Sequence, residues 1–231
     1  EEPFKRLFNQ GMIQGQTCFI YRHAEEAKTY YSADHPSVSD RCQRIRILSS
    51  LANDKGEVDI DELSLWRPEF EDAVFHSNDK GLFLGEFETE KMSKSKHNVV
   101  NPDEIVHRYG SDCFRLYSMF LGPIEEHKPW NNQGIDGVYR FMNKLWRLIE
   151  ASKGIVLDAS EAKASLQILH TLIEKVDRDL PKLSLNTCVS AFMIAVNDWQ
   201  KLDKIPQETM KQALKLLAPF APVYAQYGWE L

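Results

Sequence analysis

At Asn101-Pro102-Asp103-Glu104 the chain changes its hydrophobic period. Before this point lie short β-prone runs, "TCFIYRH", "KTYYSA", "AVFHS" and "GLFLGEF". Turn signals separate them, among them Asn53-Asp54-Lys55-Gly56 and Ser77-Asn78-Asp79-Lys80-Gly81. Beyond it, apolar residues recur at spacings of three and four, the mark of amphipathic helices. A chain written this way is expected to segregate a small sheet from a set of helices, an α+β architecture.

The helical half can be read in some detail. Asn101 suits an N-cap, Pro102 the first helical position, Glu104 a capping box and Gly110 a C-terminal cap. A second short helix fits Asp112 to Leu121, stopped by Gly122-Pro123. Longer helices are expected from Asn132 to Ala151, Glu161 to Leu180, Leu185 to Leu202 and Pro206 to Leu217, with "APFAP" breaking the last before a turn-rich end. Their stripes place Phe141, Leu145, Leu169, Leu172, Phe192 and Trp199 in a bundle core. In the β-prone half one helix is expected, from Ser39 to Leu51.

Composition narrows the class. With 231 residues, 43% hydrophobic and 27% charged, the chain is long enough for one large domain or two modest ones and can bury a core. No apolar run approaches the ~20 residues that span a bilayer. Cys18, Cys42, Cys113 and Cys188 are far apart and form no CxxC pair, so neither a zinc site nor a redox motif is indicated, and reduced thiols in a cytoplasmic setting are expected. The N-terminus has neither the features of a signal peptide nor an initiator Met, which is expected of a piece of a longer protein. The net charge is −6, and the acidic excess sits in residues 16–90. The rest of the chain is neutral or slightly basic and compatible with a polyanionic partner.

The string Lys91-Met92-Ser93-Lys94-Ser95 stands out against this background. Lysine is a compact point charge on a flexible stem, suited to phosphate oxygens. Two lysines three apart, with serine hydroxyls and backbone N–H groups between them, can wrap a triphosphate and meet the charge that moves onto departing pyrophosphate. At residue frequencies of about 5%, the five-residue string would arise by chance in such a chain on the order of once in ten thousand. Without nucleotide, Glu90–Lys96 is expected to be poorly ordered or open, since lysines with no phosphate partner repel each other.

This string is the signature loop of class I aminoacyl-tRNA synthetases. "PFKRLFNQGMI" (Pro3–Ile13), the stretch from Lys91 to Leu148, which includes "MFLGPIEEHKPWNNQGIDGVYRF", and "LLAPFAP" (Leu216–Pro222) resemble bacterial leucyl-tRNA synthetases. The resemblance implies ATP-dependent attachment of leucine to tRNA(Leu), with ATP as a magnesium-bound substrate and no metal site in this chain. It assigns residues 1–15 and 91–121 to the end of a Rossmann-like catalytic fold. Residues 16–90 become a leucyl-type α+β insertion, and 122–231 an antiparallel helical bundle that touches the tRNA body. Lys91 and Lys94 become the catalytic pair, and Lys91, Met92, Ser93, Lys94 and Ser95 the ATP-binding loop. Arg41, Arg44 and Arg46, read as one helix face, together with Lys128 and Arg140 are candidate tRNA contacts. A monomer is expected.

The sequence also departs from that family. No His-Ile-Gly-His-type motif occurs, the editing and C-terminal tRNA-binding regions are missing, and Tyr227-Gly228-Trp229 replaces a glutamate-containing ending. His97 stands where many relatives carry Gly, and is read as a surface histidine that stiffens the loop exit. The isolated chain is therefore expected to be inactive. Two alternatives stay open: another class I synthetase of the methionyl, isoleucyl or valyl type, and a non-catalytic helical RNA-binding module.

Overall fold

The structure is a computed structural model that describes residues 3–231, the side chain of Asn132 excepted. Residues 1 and 2, at the start of the expected catalytic segment, lie outside the described residues. The chain forms two compact units. One is Met12–Val100, and the other joins the residues up to Gly11 with Asn101–Leu231.

The Met12–Val100 unit is a mixed sheet with helical cover. Its strands are β1 (Ile13–His23), β2 (Thr29–Tyr31), β3 (Cys42–Ile47), β4 (Val74–His76) and β5 (Glu86–Lys91). β1 is the hub. It pairs antiparallel with β3 along one edge, and with β2 and β5 in succession along the other; β4 extends the sheet parallel to β2. Thr17, Cys18, Phe19 and Ile20 are all buried, so both faces of β1 are covered. Period two divides them. Cys18 and Ile20 join Tyr30, Ile47, Leu63, Phe70 and Phe83 in the core. On the other face Phe19 lies under the guanidinium groups of Arg44 (3.9 Å from the ring centroid) and Arg46 (5.1 Å). Burying an aromatic ring beneath arginine stems removes apolar area from water while the charged heads stay wet.

Two local expectations fail here. The helix expected from Ser39 to Leu51 is strand β3, followed by the short 3-10 turn Ser49–Leu51. The reason is the Arg44-Ile45-Arg46-Ile47 alternation, which turns the isoleucines toward the core and the arginines to the opposite face. Arg44 and Arg46 therefore share a strand face, while Arg41 sits in the turn before it, so the three do not form one helix face. The second miss is α1 (Ile60–Trp66), whose Asp59 cap accepts from the Glu62 backbone N–H.

The second unit is helical: α2 (Pro102–Tyr109), α3 (Ser111–Phe120), α4 (Asn132–Ser152), α5 (Lys163–Asp179), α6 (Leu185–Trp199), α7 (Gln207–Leu217) and α8 (Pro222–Glu230). α6 is central, packing on α3, α4 and α5, while α7 packs on α4, α5 and α8. Phe141, Leu145, Leu169, Leu172, Phe192 and Trp199 are all buried, as their spacing predicts. Trp199 closes the α5–α6 seam by donating its indole N–H to the Ser165 carbonyl (3.2 Å). α5 and α6 are also tied at their joint. Asp179, buried at the end of α5, accepts from Lys175 (2.8 Å), Arg178 (3.1 Å) and the Thr187 hydroxyl. The hydrogen bond from Lys175 leads the causes that hold its carboxyl well below the usual carboxylate range. α8 occupies the end expected to be turn-rich. Its Pro222 sits in the first turn, and its free Tyr224 N–H is met by Asp112 of α3 (2.6 Å).

Candidate functional site: the Lys91–Asn98 loop

Strand β5 delivers the signature loop. Antiparallel pairing runs from Phe19↔Glu86 to Gln14↔Lys91, so Lys91 is the last ladder residue and Lys94–Lys96 form a 3-10 turn beyond it. Lys91 and Lys94 are exposed and have no acidic partner among the described residues. Lys96 differs: its amine sits 2.8 Å from Glu90. The Ser93 and Ser95 hydroxyls hydrogen-bond each other at 2.9 Å, and Met92 is half-buried.

The loop backbone is not open in the way expected of an unliganded lysine loop. Asn98 is buried inside it. Its Oδ1 accepts the Ser93 backbone N–H (2.9 Å), and its Nδ2 donates to Thr17 Oγ1 of β1 (2.9 Å) and to the Lys91 carbonyl (3.4 Å). Thr17 in turn donates to Glu90 Oε2 (2.8 Å). Glu90 is also approached by Arg46 (3.6 Å). The Lys96 hydrogen bond, then the Thr17 hydrogen bond, and the Lys96 and Arg46 charges lower the Glu90 pKa. The main chain is thus held at Lys91 and Ser93, and the exposed Lys91 and Lys94 side chains extend from it.

Gly15 makes the anchoring possible. A Cβ built there would stand 2.1 Å from the Asn98 carbonyl oxygen, so the loop main chain rests on β1 where β1 has no side chain. At the loop exit His97 adopts φ 54°, a left-handed conformation for which Gly is the unstrained choice. Its carbonyl accepts from the Ser49 N–H and hydroxyl (both 3.1 Å), its ring stands edge-on to Trp66 (5.1 Å), and its Nε2 contacts Arg67 (2.5 Å). Burial, and then the Arg67 charge, lower its pKa.

The other candidates are dispersed. Arg44 pairs with Glu88 (2.9 Å) and Glu86 (3.5 Å), and Arg46 with Glu90, so both are engaged on the sheet face; Arg41 is exposed. In the helical unit Lys128 donates to the Gly122 carbonyl (2.8 Å), and burial lowers its pKa. Trp130 is buried against Tyr117 (4.9 Å between ring centroids) and Phe114 (5.9 Å), a packing anchor, while Arg140 is exposed. Sequence reasoning missed Thr17, Glu90, Asn98 and Gly15. Among the described residues no group of three or more His, Cys, Asp or Glu side chains is placed to hold a metal, and no helix is long and apolar enough to cross a membrane.

Comparison with known proteins places the chain in context. The family model described as tRNA synthetases class I (I, L, M and V) matches residues 79–128, a stretch that includes the whole loop. Over 231 residues the chain is 44% identical to the leucine–tRNA ligase of Christiangramia forsetii, with all of this chain and 24% of that protein aligned. It is 45% identical over 233 residues to the leucine–tRNA ligase of Parabacteroides distasonis, covering 99% of this chain and 24% of that one. The chain thus spans about a quarter of the length of the curated relatives it matches. Among solved structures it is similar in fold to the agnB2 LeuRS of Agrobacterium radiobacter K84, solved as a ternary complex with tRNA and LeuAMS. There the TM-score is 0.54 and the identity 24%, over 61% of this chain and 20% of that one.

Proposed function

We propose that this chain is the signature-loop segment of a leucine–tRNA ligase, and that Lys91 and Lys94 contact the triphosphate of ATP during leucine activation. In that reaction the leucine carboxylate attacks the α-phosphate of magnesium-bound ATP and pyrophosphate leaves, giving leucyl-adenylate; a terminal ribose hydroxyl of tRNA(Leu) then attacks its carbonyl, taking the leucyl group and releasing AMP. The observation that carries this is the contrast among three lysines of one loop. Lys96 is neutralised by Glu90, whereas Lys91 and Lys94 remain exposed and unpaired on an anchored backbone. Unpaired cations held by a fixed main chain suit charge that develops on a leaving group, because little reorganisation is needed as it forms.

Around the loop, residues 1–15 and 91–121 act as the end of a Rossmann-like catalytic fold, 16–90 as an inserted module and 122–231 as an antiparallel tRNA-contacting bundle. Arg41 and Arg140, exposed in the structure, are the more available of the candidate tRNA contacts. The naming of the relatives as leucine–tRNA ligases favours leucine over methionine, isoleucine or valine.

The test is leucine-dependent ATP–pyrophosphate exchange by a full-length ligase carrying this segment. Lys94→Ala should slow exchange by about 10²–10³-fold, the usual loss for one electrostatic contact made in the transition state; an unchanged rate refutes the assignment. Residues 1–231 alone should give no exchange above a Lys91→Ala/Lys94→Ala control, because charge without a positioned substrate lacks the part of catalysis that orientation supplies.

A further inference from the structure

We propose that Asn98 is a positioning residue for this reaction: one buried carboxamide sets where Lys91 and Lys94 stand, and Thr17 and Glu90 hold that carboxamide in place. The inference rests on the assignment of Lys91 and Lys94 as phosphate contacts.

The geometry leaves the Asn98 side chain one orientation. Its Oδ1 faces the Ser93 N–H at 2.9 Å, and a flipped amide would set donor against donor there. Its Nδ2 therefore points to Thr17 Oγ1 (2.9 Å) and the Lys91 carbonyl (3.4 Å). The single Thr17 proton goes to Glu90 Oε2 (2.8 Å), so the hydroxyl oxygen is left to accept from Asn98. Glu90 is held as a charged acceptor by Lys96 (2.8 Å) and Arg46 (3.6 Å). Donation thus runs from the Ser93 amide through Asn98 and Thr17 to Glu90, which also accepts from Lys96.

The consequence for the lysines is direct. The carbonyl of Lys91 and the amide of Ser93, whose next residue is Lys94, rest on the same carboxamide. Replacing it by a methyl group releases both, while the Thr17 hydroxyl keeps Glu90 as acceptor and loses the donor it accepted from. Asn98 need not touch substrate; it acts through the two lysines. Displacing a reacting contact by about 1 Å costs up to about 10²-fold in rate.

The experiment measures kcat and KM for leucine-dependent ATP–pyrophosphate exchange in the full-length ligase, for Asn98→Ala, Lys94→Ala and the double variant. Asn98→Ala should lower kcat by about 10–100-fold with KM for leucine unmoved. The double variant should lose clearly less than the product of the two single losses, since residues that act as a unit are non-additive and only the Lys91 part of the Asn98 effect remains. Wild-type kcat for Asn98→Ala, or losses that multiply in the double variant, overturn the proposal. If Lys94→Ala itself costs nothing, the phosphate assignment falls, a result distinct from Lys94 mattering while Asn98 does not. If Asn98→Ala does not fold by circular dichroism, Thr17→Val decides. It keeps the side-chain shape and removes the hydrogen bonds, so it should show the same kcat defect with Thr17→Ser restoring the rate; wild-type kcat for Thr17→Val overturns the proposal.

Discussion

Phe192→Ala probes the buried core of the helical unit. Phe192 lies on α6, is 2% exposed, and meets the Phe220 ring edge-on with centroids 5.7 Å apart. Truncation to Ala removes most of a ring that buries on the order of 150–200 Å², which at ~25 cal/mol per Å² amounts to about 4 kcal/mol. Large-to-small series give about 3–5 kcal/mol for the same change, and the lost ring pair accounts for about 0.5–1.5 kcal/mol of such effects. Against a total stability of ~5–15 kcal/mol this is a large fraction. The control is on the same helix. Ile194, two residues on, is 61% exposed, and Ile194→Ala should change stability by less than about 0.5 kcal/mol. The assay is urea unfolding of residues 1–231 followed by circular dichroism and tryptophan fluorescence. The expected result is a midpoint for Phe192→Ala well below wild type and a midpoint for Ile194→Ala close to it. A loss under about 1 kcal/mol for Phe192→Ala, or equal losses for the two, would mean that the apolar stripe of α6 faces elsewhere.

Other outcomes follow from single contacts. Gly15→Ala places a methyl where the Asn98 carbonyl stands 2.1 Å away, and should destabilise the sheet unit by about 1–3 kcal/mol in the same urea assay, whereas a neutral effect would mean the loop is not seated on β1. Asp179→Asn should lower stability at neutral pH, since it weakens charge-assisted bonds to Lys175 and Arg178. Because the folded pKa of Asp179 is depressed, that stabilisation is complete above the unfolded value and fades as pH falls through the acid range below about 4. Wild type and variant should therefore converge in acid, and a pH-independent gap would contradict the ion-pair account. Arg44→Met should cost under about 1 kcal/mol at moderate salt, since the ion pairs of Arg44 are solvent-exposed and its stem packing on Phe19 is partly kept; a larger loss would show that the sheet face depends on the charge.

What could be read in advance, and what could not, follows the range of the interactions. α4 and α6 announce themselves because their apolar residues repeat over several turns; both start at the expected residue, and their ends differ from expectation by one and three residues. The lysine string is legible because its residue types are the chemistry. β3 is hard to read in the sequence because a strand of six residues carries only two apolar alternations, which a helical window absorbs. α1 does carry a local signal, because its Asp59-x-x-Glu62 start is a recognisable cap. α8 could not be foreseen from its own residues, because the acid that caps it, Asp112, lies 112 positions earlier. Asn98 was hidden for the same reason. In a polar, lysine-rich stretch it reads as solvent-facing, and its burial depends on Thr17, 81 positions away.

The most direct measurement separates the two half-reactions in a full-length ligase carrying this segment. Single-turnover formation of leucyl-adenylate is compared with transfer of leucine from preformed leucyl-adenylate to tRNA(Leu), in wild type and Lys94→Ala. If the loop serves the triphosphate, Lys94→Ala slows adenylate formation by about 10²–10³-fold and leaves transfer near the wild-type rate, because pyrophosphate has already departed. Equal slowing of both steps, or no slowing of the first, would contradict a phosphate role for Lys94.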